Sequence, residues 1–327
     1  RPQDEILLET TSHICLWEAG GPAVLSGVTC RTVDSRTHNG LLTASANVSV
    51  NASDLTTALA SGNLQLAGNV IVNTPITWST NSVLSLGGTS SNTVALNAKL
   101  TGSGNSAGLV IKPTSYSLDV KSGAAIVLSG TSPTLSIGGN SYTLVKSIAD
   151  LANVTASGNF ALAVPLTYSS TLSGSPITAS FAGTFDGLGN TVDNMKIVST
   201  AAGTVAFISN LAGGTVRNLG ITNVNISLEP TVSGYFATGA LAGTTTGGTI
   251  DQVWSSGFIR AKSGSTFSGV VAGGLVGNSG SGTLTISKSW SSVNLYGWGS
   301  TFTNAIAGGL IGGDLVNWSA TSASAGG

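Results

Sequence analysis

One short phrase recurs four times in the second half of the chain and constrains the fold more than any other feature. The hydrophobic residues at its centre lie at steps of 34, 34 and 35 residues: Phe207, Leu241, Leu275 and Leu310. A second series, at steps of 34 and 36 residues, opens strand-like segments at Val216, Ile250 and Ile286. Two independent markers with one period predict a repeat architecture, because periods of 20–50 residues are typical of solenoids, propellers and arrays.

Each repeat contains three strand-like parts, which in the first full repeat are 216–221, 224–228 and 235–241. A propeller blade needs four antiparallel strands in about 40–45 residues, more than this period provides. The pattern therefore predicts that one repeat is one coil of a parallel β-helix. In such a stack Phe207, Leu241, Leu275 and Leu310 form a buried core ladder, and we expect the glycines beside them to make sharp turns with positive φ.

Residues 41–180 predict the same architecture with shorter, irregular coils. Alternating runs of Val, Leu and Ile begin every 6–15 residues between Asn63 and Lys146, which predicts strands of three to five residues. Successive coils of such strands stack about 4.8 Å apart. A short helix is also expected to start at Ser147.

Another short helix is expected near residue 52. Ser53 or Asp54 can cap its start, Leu55 and Leu59 lie four residues apart and face the core, and Gly62 ends it.

The first 40 residues differ in composition from the rest. They hold both cysteines, Cys15 and Cys30, both histidines, His13 and His38, and eight of the 25 charged residues. One expectation is a disulfide between the two cysteines across a hairpin, and the other is a pair of buried free thiols. The wide spacing disfavours a zinc site. We expect residues 1–40 to cap the first coil or to engage a neighbouring subunit.

Charge and hydropathy exclude several classes of protein. Only 8 % of the residues are charged and the formal net charge is −1, which gives no electrostatic basis for binding nucleic acid or an anionic membrane. No run of 18 apolar residues predicts a membrane-spanning helix, and the first residues lack the pattern of a secretory signal. Because the chain starts at Arg1 and not at Met, we expect a processed product or a fragment.

The repeats offer little catalytic chemistry. After His38 there is no further histidine or cysteine, so a Ser-His or Cys-His pair cannot be assembled there. A polysaccharide lyase or glycosidase would need clustered carboxylates with a cation. The best set consists of Asp186, Asp193, Arg217 and Asp251, but a turn role for Asp186 and a surface pair between Arg217 and Asp251 are favoured. We predict no catalytic residue, no cofactor and no metal site.

Aromatic and asparagine residues also recur between repeats. Trp254 and Trp290 hold the same strand position, and Trp318 follows in the next slot. They form either an exposed sugar-binding strip or an internal or loop-covered stack, and the second interpretation is favoured. Tyr296 and Trp298, in a glycine-rich turn, are the possible glycan contacts. Five asparagines are expected to hydrogen-bond from coil to coil: Asn190, Asn194, Asn218, Asn223 and Asn225.

Several stretches resemble known bacterial repeats. The blocks at 181–197, 213–221 and 272–277 resemble the Gly-Leu-Gly type (GLUG) repeats of large bacterial surface exoproteins. Upstream, residues 52–59 with Ile76-Thr-Trp-Ser79, and Tyr142–Leu151, look like filamentous-haemagglutinin-type, two-partner-secreted adhesins. The resemblance covers about residues 41–320. It implies a right-handed parallel β-helix, export through an outer-membrane partner transporter, and an adhesive or filament-forming role.

Together these observations predict an all-β right-handed parallel β-helix (β-solenoid) with about three short strands per coil. Its regions are a capping or assembly segment (1–40), irregular coils (41–180) and 34-residue GLUG-type coils (181–327). We expect a non-enzymatic structural protein, secreted or on the bacterial cell surface, that acts as an adhesin stalk or filament subunit.

The expected partners are further copies of the chain, bound through the solenoid ends, and a glycan or protein receptor on a host or cell surface. The alternative is a carbohydrate-binding or carbohydrate-active β-helix protein of lyase or glycosidase type. An ice-binding solenoid is disfavoured because the threonines are irregularly spaced along the sequence.

Overall fold

The computed structural model describes residues 5–9, 29–33, 41–43, 51–231, 234–262, 267–298 and 305–313. The chain divides into two compact units, Arg1–Ser141 and Tyr142–Gly327, here termed unit 1 and unit 2. The described residues consist mainly of short strands in parallel sheets, with few helical segments. Among the described residues, no helix has both the length and the apolar character needed to cross a membrane.

The elements of unit 1 are, in chain order, β1 (Glu5–Glu9), β2 (Thr29–Val33), β3 (Leu41–Thr43), α1 (Ala52–Ser61), β4 (Leu64–Ala67), β5 (Val70–Val72), β6 (Ile76–Trp78), β7 (Val83–Leu86), β8 (Val94–Leu96), β9 (Leu100–Gly102), β10 (Gly108–Ile111), β11 (Ser117–Leu118), a 3-10 helix (Val120–Ser122), β12 (Ile126–Leu128), β13 (Thr134–Ile137) and β14 (Asn140–Ser141).

Three parallel sheets of unit 1 each collect every third strand of the chain. They are β4-β7-β10-β13, β5-β8-β11 and β6-β9-β12; β3 extends the first beside β4, and β14 closes it antiparallel to β13. In the first sheet Leu64 pairs with Leu84 and Leu109 with Leu135, so one pass through the three sheets takes 20 to 26 residues. The strands β1 and β2 form a separate parallel pair.

The core of unit 1 is made of register rows of aliphatic side chains. Leu64, Leu84, Leu109 and Leu135 form one such row, and each is at most 3 % exposed. Burial of each Leu or Ile side chain stabilises the fold by about 1.5–3 kcal/mol relative to leaving it exposed. The side chains one residue along each strand point outward, because successive strand residues face opposite sides.

The helix α1 confirms the predicted buried pair and the predicted end. Leu55 and Leu59 are buried, and Gly62 terminates the helix. The expected cap at Ser53 or Asp54 was wrong: the helix starts at Ala52, so both residues lie inside its first turn. The preceding residue makes no side-chain cap bond, and main-chain bonds from the first turn return to its carbonyl.

Two hydroxyl groups tie α1 to the sheets. The side chains of Thr80 and Ser82 each donate a hydrogen bond of 2.6 Å to the carbonyl of Leu59, which satisfies one of the open carbonyl groups of the last helical turn. The helix packs against β6, the first strand of its sheet. A helix rather than a further strand therefore lies beside β6.

The elements of unit 2 are, in chain order, β15 (Thr143–Val145), a 3-10 helix (Ala149–Asn153), β16 (Asn159–Leu162), β17 (Leu166–Thr167), β18 (Thr171–Leu172), β19 (Ile177–Phe181), β20 (Thr184–Asp186), β21 (Thr191–Asp193), β22 (Lys196–Ser199), β23 (Gly203–Val205), β24 (Ile208–Leu211), β25 (Thr215–Leu228), β26 (Gly234–Gly239), β27 (Ala242–Thr245), β28 (Gly248–Lys262), β29 (Phe267–Gly273), β30 (Val276–Asn278), β31 (Leu284–Ser287), β32 (Trp290–Trp298), β33 (Ala305–Gly308) and β34 (Ile311–Gly313).

Equivalent strands of successive repeats pair in parallel throughout unit 2. The long strand β25 pairs with β28, which in turn pairs with β31 and β32; two further sheets follow the orders β19-β24-β27-β30-β34 and β23-β26-β29-β33. Val216, Ile250 and Ile286 are aligned, which confirms the alignment of the second sequence marker. The residues of the first sequence marker also occupy equivalent positions. Each of them directly precedes one member of an aligned row, which consists of Ile208, Ala242, Val276 and Ile311.

The strand boundaries within a repeat differ from those predicted. The parts 216–221 and 224–228 belong to one strand, β25, while Leu241 lies in the corner between β26 and β27. Asn218 and Asn223 adopt left-handed φ values of 54° and 52°, and these two residues bend β25 without ending it. Three short strands of the preceding repeat, β20, β21 and β22, therefore pair along the single strand β25.

The glycines beside the core ladder have a different role from the one predicted. None of Gly239, Gly273, Gly277 and Gly308 has a positive φ. Instead, a Cβ on Gly277 would lie 2.5 Å from the carbonyl oxygen of Gly243 and 2.5 Å from the amide nitrogen of Thr238. Glycine is required there because neighbouring segments of backbone approach closely, and not because the turn needs a left-handed residue.

Asparagine side chains link adjacent repeats, as predicted. Asn190 Nδ2 donates to the carbonyl of Leu162 and Asn194 Nδ2 to that of Tyr168, both at 2.8 Å. Asn218, Asn223 and Asn225 also bond to side chains of an adjoining repeat. In unit 1, Asn63, Asn69 and Asn81 accept hydrogen bonds from main-chain amides 20 to 25 residues later.

The helix predicted at Ser147 is a 3-10 helix that begins at Ala149. The carboxylate of Asp150 accepts hydrogen bonds from the amides of Lys146 and Ser147, at 2.9 and 2.8 Å. The bond from the Lys146 amide is the main reason that the pKa of Asp150 lies below its ordinary value, and the bonds from Ser147 add to the effect.

We expect the Gly277→Ala variant to be less stable than the wild type by about 1–3 kcal/mol, because its methyl group must displace the backbone of a neighbouring strand. Thermal or urea unfolding monitored by circular dichroism measures this loss. Gly309→Ala is the matched control, since nothing lies within 4 Å of a Cβ there. Equal losses in both variants would contradict the close-approach role.

Asp150 gives a test of stability against pH. Its folded pKa is lower than its unfolded pKa, so its contribution is present above the ordinary value of about 3.9 and is lost as the pH falls through the folded pKa. Urea midpoints at pH 6 and pH 3 should therefore differ less for Asp150→Asn than for the wild type. An unchanged difference would show that these hydrogen bonds do not stabilise the fold.

Candidate functional site

The four residues predicted as the best set for carbohydrate chemistry occupy two places in unit 2. Asp186, Arg217 and Asp251 are aligned on β20, β25 and β28, and Ser287 continues this row on β31. Asp193 lies on β21, opposite Thr222. The strand register brings together residues that are 29 to 36 positions apart in sequence.

Asp186 is fully buried and holds a turn. One carboxylate oxygen accepts hydrogen bonds from the Leu188 amide at 2.9 Å and from Asn218 Nδ2 at 3.0 Å. The other oxygen forms an ion pair with Nε of Arg217 at 2.7 Å. Leu188 itself has a left-handed φ of 55°, so the carboxylate stabilises a conformation that a leucine disfavours. The turn role predicted for Asp186 is confirmed.

The predicted surface pair between Arg217 and Asp251 is replaced by a buried pair on the opposite side of β25. Arg217 stands one strand from each aspartate, but its Nε bonds Asp186, while Asp251 accepts a 2.6 Å hydrogen bond from Ser287. An enclosed carboxylate needs a counter-charge more than a partly exposed one, because water cannot solvate it. Burial therefore decides which aspartate the arginine contacts.

Burial also affects the hydroxyl groups of two tyrosines in unit 2. The hydroxyl of Tyr142 lies 3.5 Å from a terminal nitrogen of Arg217, and burial raises its pKa although the guanidinium opposes the shift. The hydroxyl of Tyr168 is buried without a hydrogen-bond partner, and burial raises its pKa to about 12. Both phenols are therefore neutral near pH 7.

The carboxylates of the set act between repeats. Asp193 accepts hydrogen bonds from Thr222 Oγ1 at 2.7 Å and from Asn223 Nδ2 at 2.8 Å. The side chain of Asp186 is closed off from solvent. Within the described residues, no group of three or more His, Cys, Asp or Glu side chains could hold a metal ion.

The pair Trp254 and Trp290 forms a stack between adjacent repeats. The ring centroids are 5.6 Å apart and the planes differ by 12°. The predicted stack between repeats is confirmed, and Trp254 is half-buried, but Trp290 is 39 % exposed, so the internal or loop-covered placement was wrong for Trp290. The indole of Trp254 lies over Gly220, where a Cβ would come within 2.5–2.7 Å of ring atoms. Trp318 lies outside the described residues.

The possible glycan contacts Tyr296 and Trp298 lie in β32, and not in a turn as predicted. Tyr296 is 54 % exposed. It is aligned with Arg260 on β28, and Trp298 is aligned with Lys262. The side chain of Trp298 lies outside the part of the chain that the structure describes.

We name the outward surface formed by Phe258, Arg260 and Lys262 with the aligned Asn294 and Tyr296 the β28–β32 face. The residues between them on β28, Ile259 and Ala261, are buried, so the alternation along the strand turns the others outward. Sequence reasoning missed Phe258, Arg260 and Lys262. The step of 36 residues that aligns Trp254 with Trp290 also aligns Arg260 with Tyr296. That step, which is visible in the sequence, could have identified these three residues.

The other predicted residues are the four of the core ladder and the two cysteines. Phe207, Leu241 and Leu275 are fully buried, whereas Leu310 is half-buried against the same core. Cys15 lies outside the described residues, and Cys30 lies in β2, where only the strand is described. The disulfide and the capping role of residues 1–40 remain predictions.

Comparison of the chain with known protein families, with curated proteins and with solved structures finds no match. The likeness to GLUG repeats therefore depends on the sequence phrases alone.

Asp186→Ala should lower the free energy of unfolding by about 3–5 kcal/mol, because it leaves the Arg217 guanidinium partly buried without its partner. Urea denaturation measures the loss. Asp251→Ala, which removes a half-exposed carboxylate, serves as the control and should cost about 1 kcal/mol. The double variant Asp186→Leu/Arg217→Met should recover most of the stability, and equal losses in the single and double variants would contradict the ion-pair role.

Proposed function

We propose that this chain is a structural protein of the bacterial cell surface or extracellular space, built as a right-handed parallel β-helix with one repeat per coil. The observation that carries the proposal is the register of unit 2. Strands of one repeat pair with the equivalent strands of the next, from β24 through β27 and β30 to β34 and from β25 through β28 to β32. Right-handedness is proposed because connections between parallel strands in one sheet are right-handed in nearly all proteins.

The use of polar groups supports a mechanical role. The carboxylates of Asp186, Asp193 and Asp251 all bond to side chains of an adjoining repeat, and the asparagines bond to side chains or main-chain carbonyl groups of one. Each such bond ties one coil to its neighbour, in addition to the main-chain ladder. A stack joined this way resists local opening, because separating two coils breaks many hydrogen bonds together.

The proposed role is an adhesin stalk or a self-assembling filament subunit. Low charge and abundant Ser, Thr and Asn make the outward surface polar and nearly neutral. The edges of a parallel stack carry unpaired backbone groups, which must be capped or must pair with another chain. We propose that residues 1–40 supply such a cap or contact, and that the chain binds further copies of itself and a surface receptor.

Export through an outer-membrane partner transporter belongs to the same proposal. It is supported by the resemblance of the blocks at 181–197 and 272–277 to the GLUG repeats of surface exoproteins.

A carbohydrate-binding protein is the second candidate. The exposed aromatic residues Trp290 and Tyr296 favour it, because aromatic rings offer flat apolar surfaces with polar edges. A carbohydrate-active enzyme is disfavoured by the same carboxylates that favour the structural role. Asp186 is enclosed, and Asp193 and Asp251 are hydrogen-bonded to neighbouring strands.

Electron microscopy of producing cells, with immunogold labelling of the chain, tests the structural role. We expect labelled filaments or stalks that project from the cell surface, because stacked coils form stiff elements. Diffuse labelling inside the cell, without extended structures, would contradict the proposal. Filaments would favour self-assembly, and separate stalks would favour the adhesin.

Deletion of residues 1–40 tests the proposed cap. We expect the shortened chain to lose regular assembly or to aggregate, because the deletion removes the proposed cover or contact of the stack. Sedimentation velocity of the intact and shortened chains measures the change. Unchanged assembly and solubility would show that these residues do not cap the stack.

A further inference from the structure

Three cationic side chains lie on the outward surface that contains the β28–β32 face. The chain has 12 lysine and arginine residues among 327. Three of them, Lys196, Arg260 and Lys262, lie on the aligned strands β22 and β28 that pair with β25. Lys196 and Lys262 are exposed. The strand between β22 and β28 is β25, and the residue that follows it, Glu229, is acidic. Its carboxylate accepts a hydrogen bond from Ser227 at 2.8 Å. Three cations against one acid give this surface a positive charge.

The guanidinium group of Arg260 is held in a defined place. Its central carbon lies 5.0 Å from the centroid of the Phe258 ring, a cation–π contact. A terminal nitrogen donates a 3.1 Å hydrogen bond to the side-chain oxygen of Asn225. A positioned guanidinium loses less conformational entropy when it binds an anion than a free one does. Its planar array of donors matches a carboxylate or a phosphate group.

The neighbouring strand adds an aromatic ring and an amide. Tyr296, aligned with Arg260, is 54 % exposed, and Asn294, aligned with Phe258, is also exposed. Paired strands lie about 4.8 Å apart, and outward residues on one strand repeat about every 6.6 Å. The face therefore presents a cation, a phenol ring and an amide within the dimensions of a sugar residue or two.

This combination selects one class of ligand. A nucleic acid would require a larger set of phosphate contacts than these three cations provide. An acidic sugar offers a carboxylate for Arg260 and Lys262, an apolar ring face for Tyr296, and hydroxyl groups for Asn294. We propose that the β28–β32 face binds an acidic polysaccharide in this way. The inference rests on the extracellular role proposed above and deepens its carbohydrate-binding alternative.

Isothermal titration calorimetry with the intact chain tests the proposal. The probes are oligogalacturonate and the same oligosaccharide with its carboxylates methyl-esterified. We expect binding of the acidic form and at least about tenfold weaker binding of the ester, because a hydrogen bond between charged groups is lost. Binding of the acidic form should also weaken with added salt. Equal affinity for both probes, or no binding of the acidic form, would overturn the proposal.

Substitutions locate the site. Arg260→Gln and Tyr296→Ala should each weaken binding about tenfold, and Lys262→Gln about threefold. The matched controls are Lys99→Gln, an exposed lysine of unit 1, and Tyr235→Ala, which removes a tyrosine that is 52 % exposed on β26. Neither should change the affinity. Lys262→Gln keeps the test valid if Arg260→Gln unfolds, because Lys262 is exposed. Equal effects of site and control variants would overturn the assignment.

The last measurement is the affinity of the chain for poly-glutamate of matched charge. Affinity equal to that of oligogalacturonate would show attraction of any polyanion and would overturn a saccharide site. Failure of every saccharide arm alongside labelled filaments or stalks on cells would remove the binding site and leave the structural proposal standing. Absence of the surface structures would instead remove the structural proposal.

Discussion

The close approach of one repeat's backbone to the next is the constraint on which unit 2 depends. At Gly239, Gly273 and Gly277 an added Cβ would collide with main-chain atoms of an adjoining repeat. Small residues at the corners let the strands stack at hydrogen-bonding distance, and the stacking then places equivalent residues above one another. The buried aliphatic rows, the asparagine bonds and the tryptophan pair all follow from that register.

Register also explains how a chain with few charges uses them. Asp186 and Arg217 neutralise each other across adjacent strands in an enclosed position, and Asp193 and Asp251 accept bonds from the following repeat. The polar groups that an enzyme would direct toward a substrate are directed toward the next repeat. Arg260 and Tyr296 lie instead on the face for which we propose a ligand.

Much of the architecture could be predicted from residue spacing. The period of 34 to 36 residues, the short alternating strands, and the helix with Leu55 and Leu59 on its buried side are visible in the sequence, because each depends on local pattern. The bend within β25 was not predicted, since left-handed conformations at Asn218 and Asn223 are permitted to asparagine but not demanded by it. The role of the corner glycines was mistaken for the same reason: a glycine signals either a positive φ or a close approach, and only the neighbouring strand distinguishes them.

The sequence by itself determined that equivalent residues recur at one period and that their hydrophobic members need a shared interior. The tertiary structure decided which side chains meet. Arg217 stands between Asp186 and Asp251 in the register, and burial of Asp186 settles which one it pairs with. Arg260 and Tyr296 are 36 residues apart and become neighbours only because β28 and β32 pair in parallel. Periodicity is a property of the chain alone, whereas contact depends on register and on how completely each side chain is removed from water.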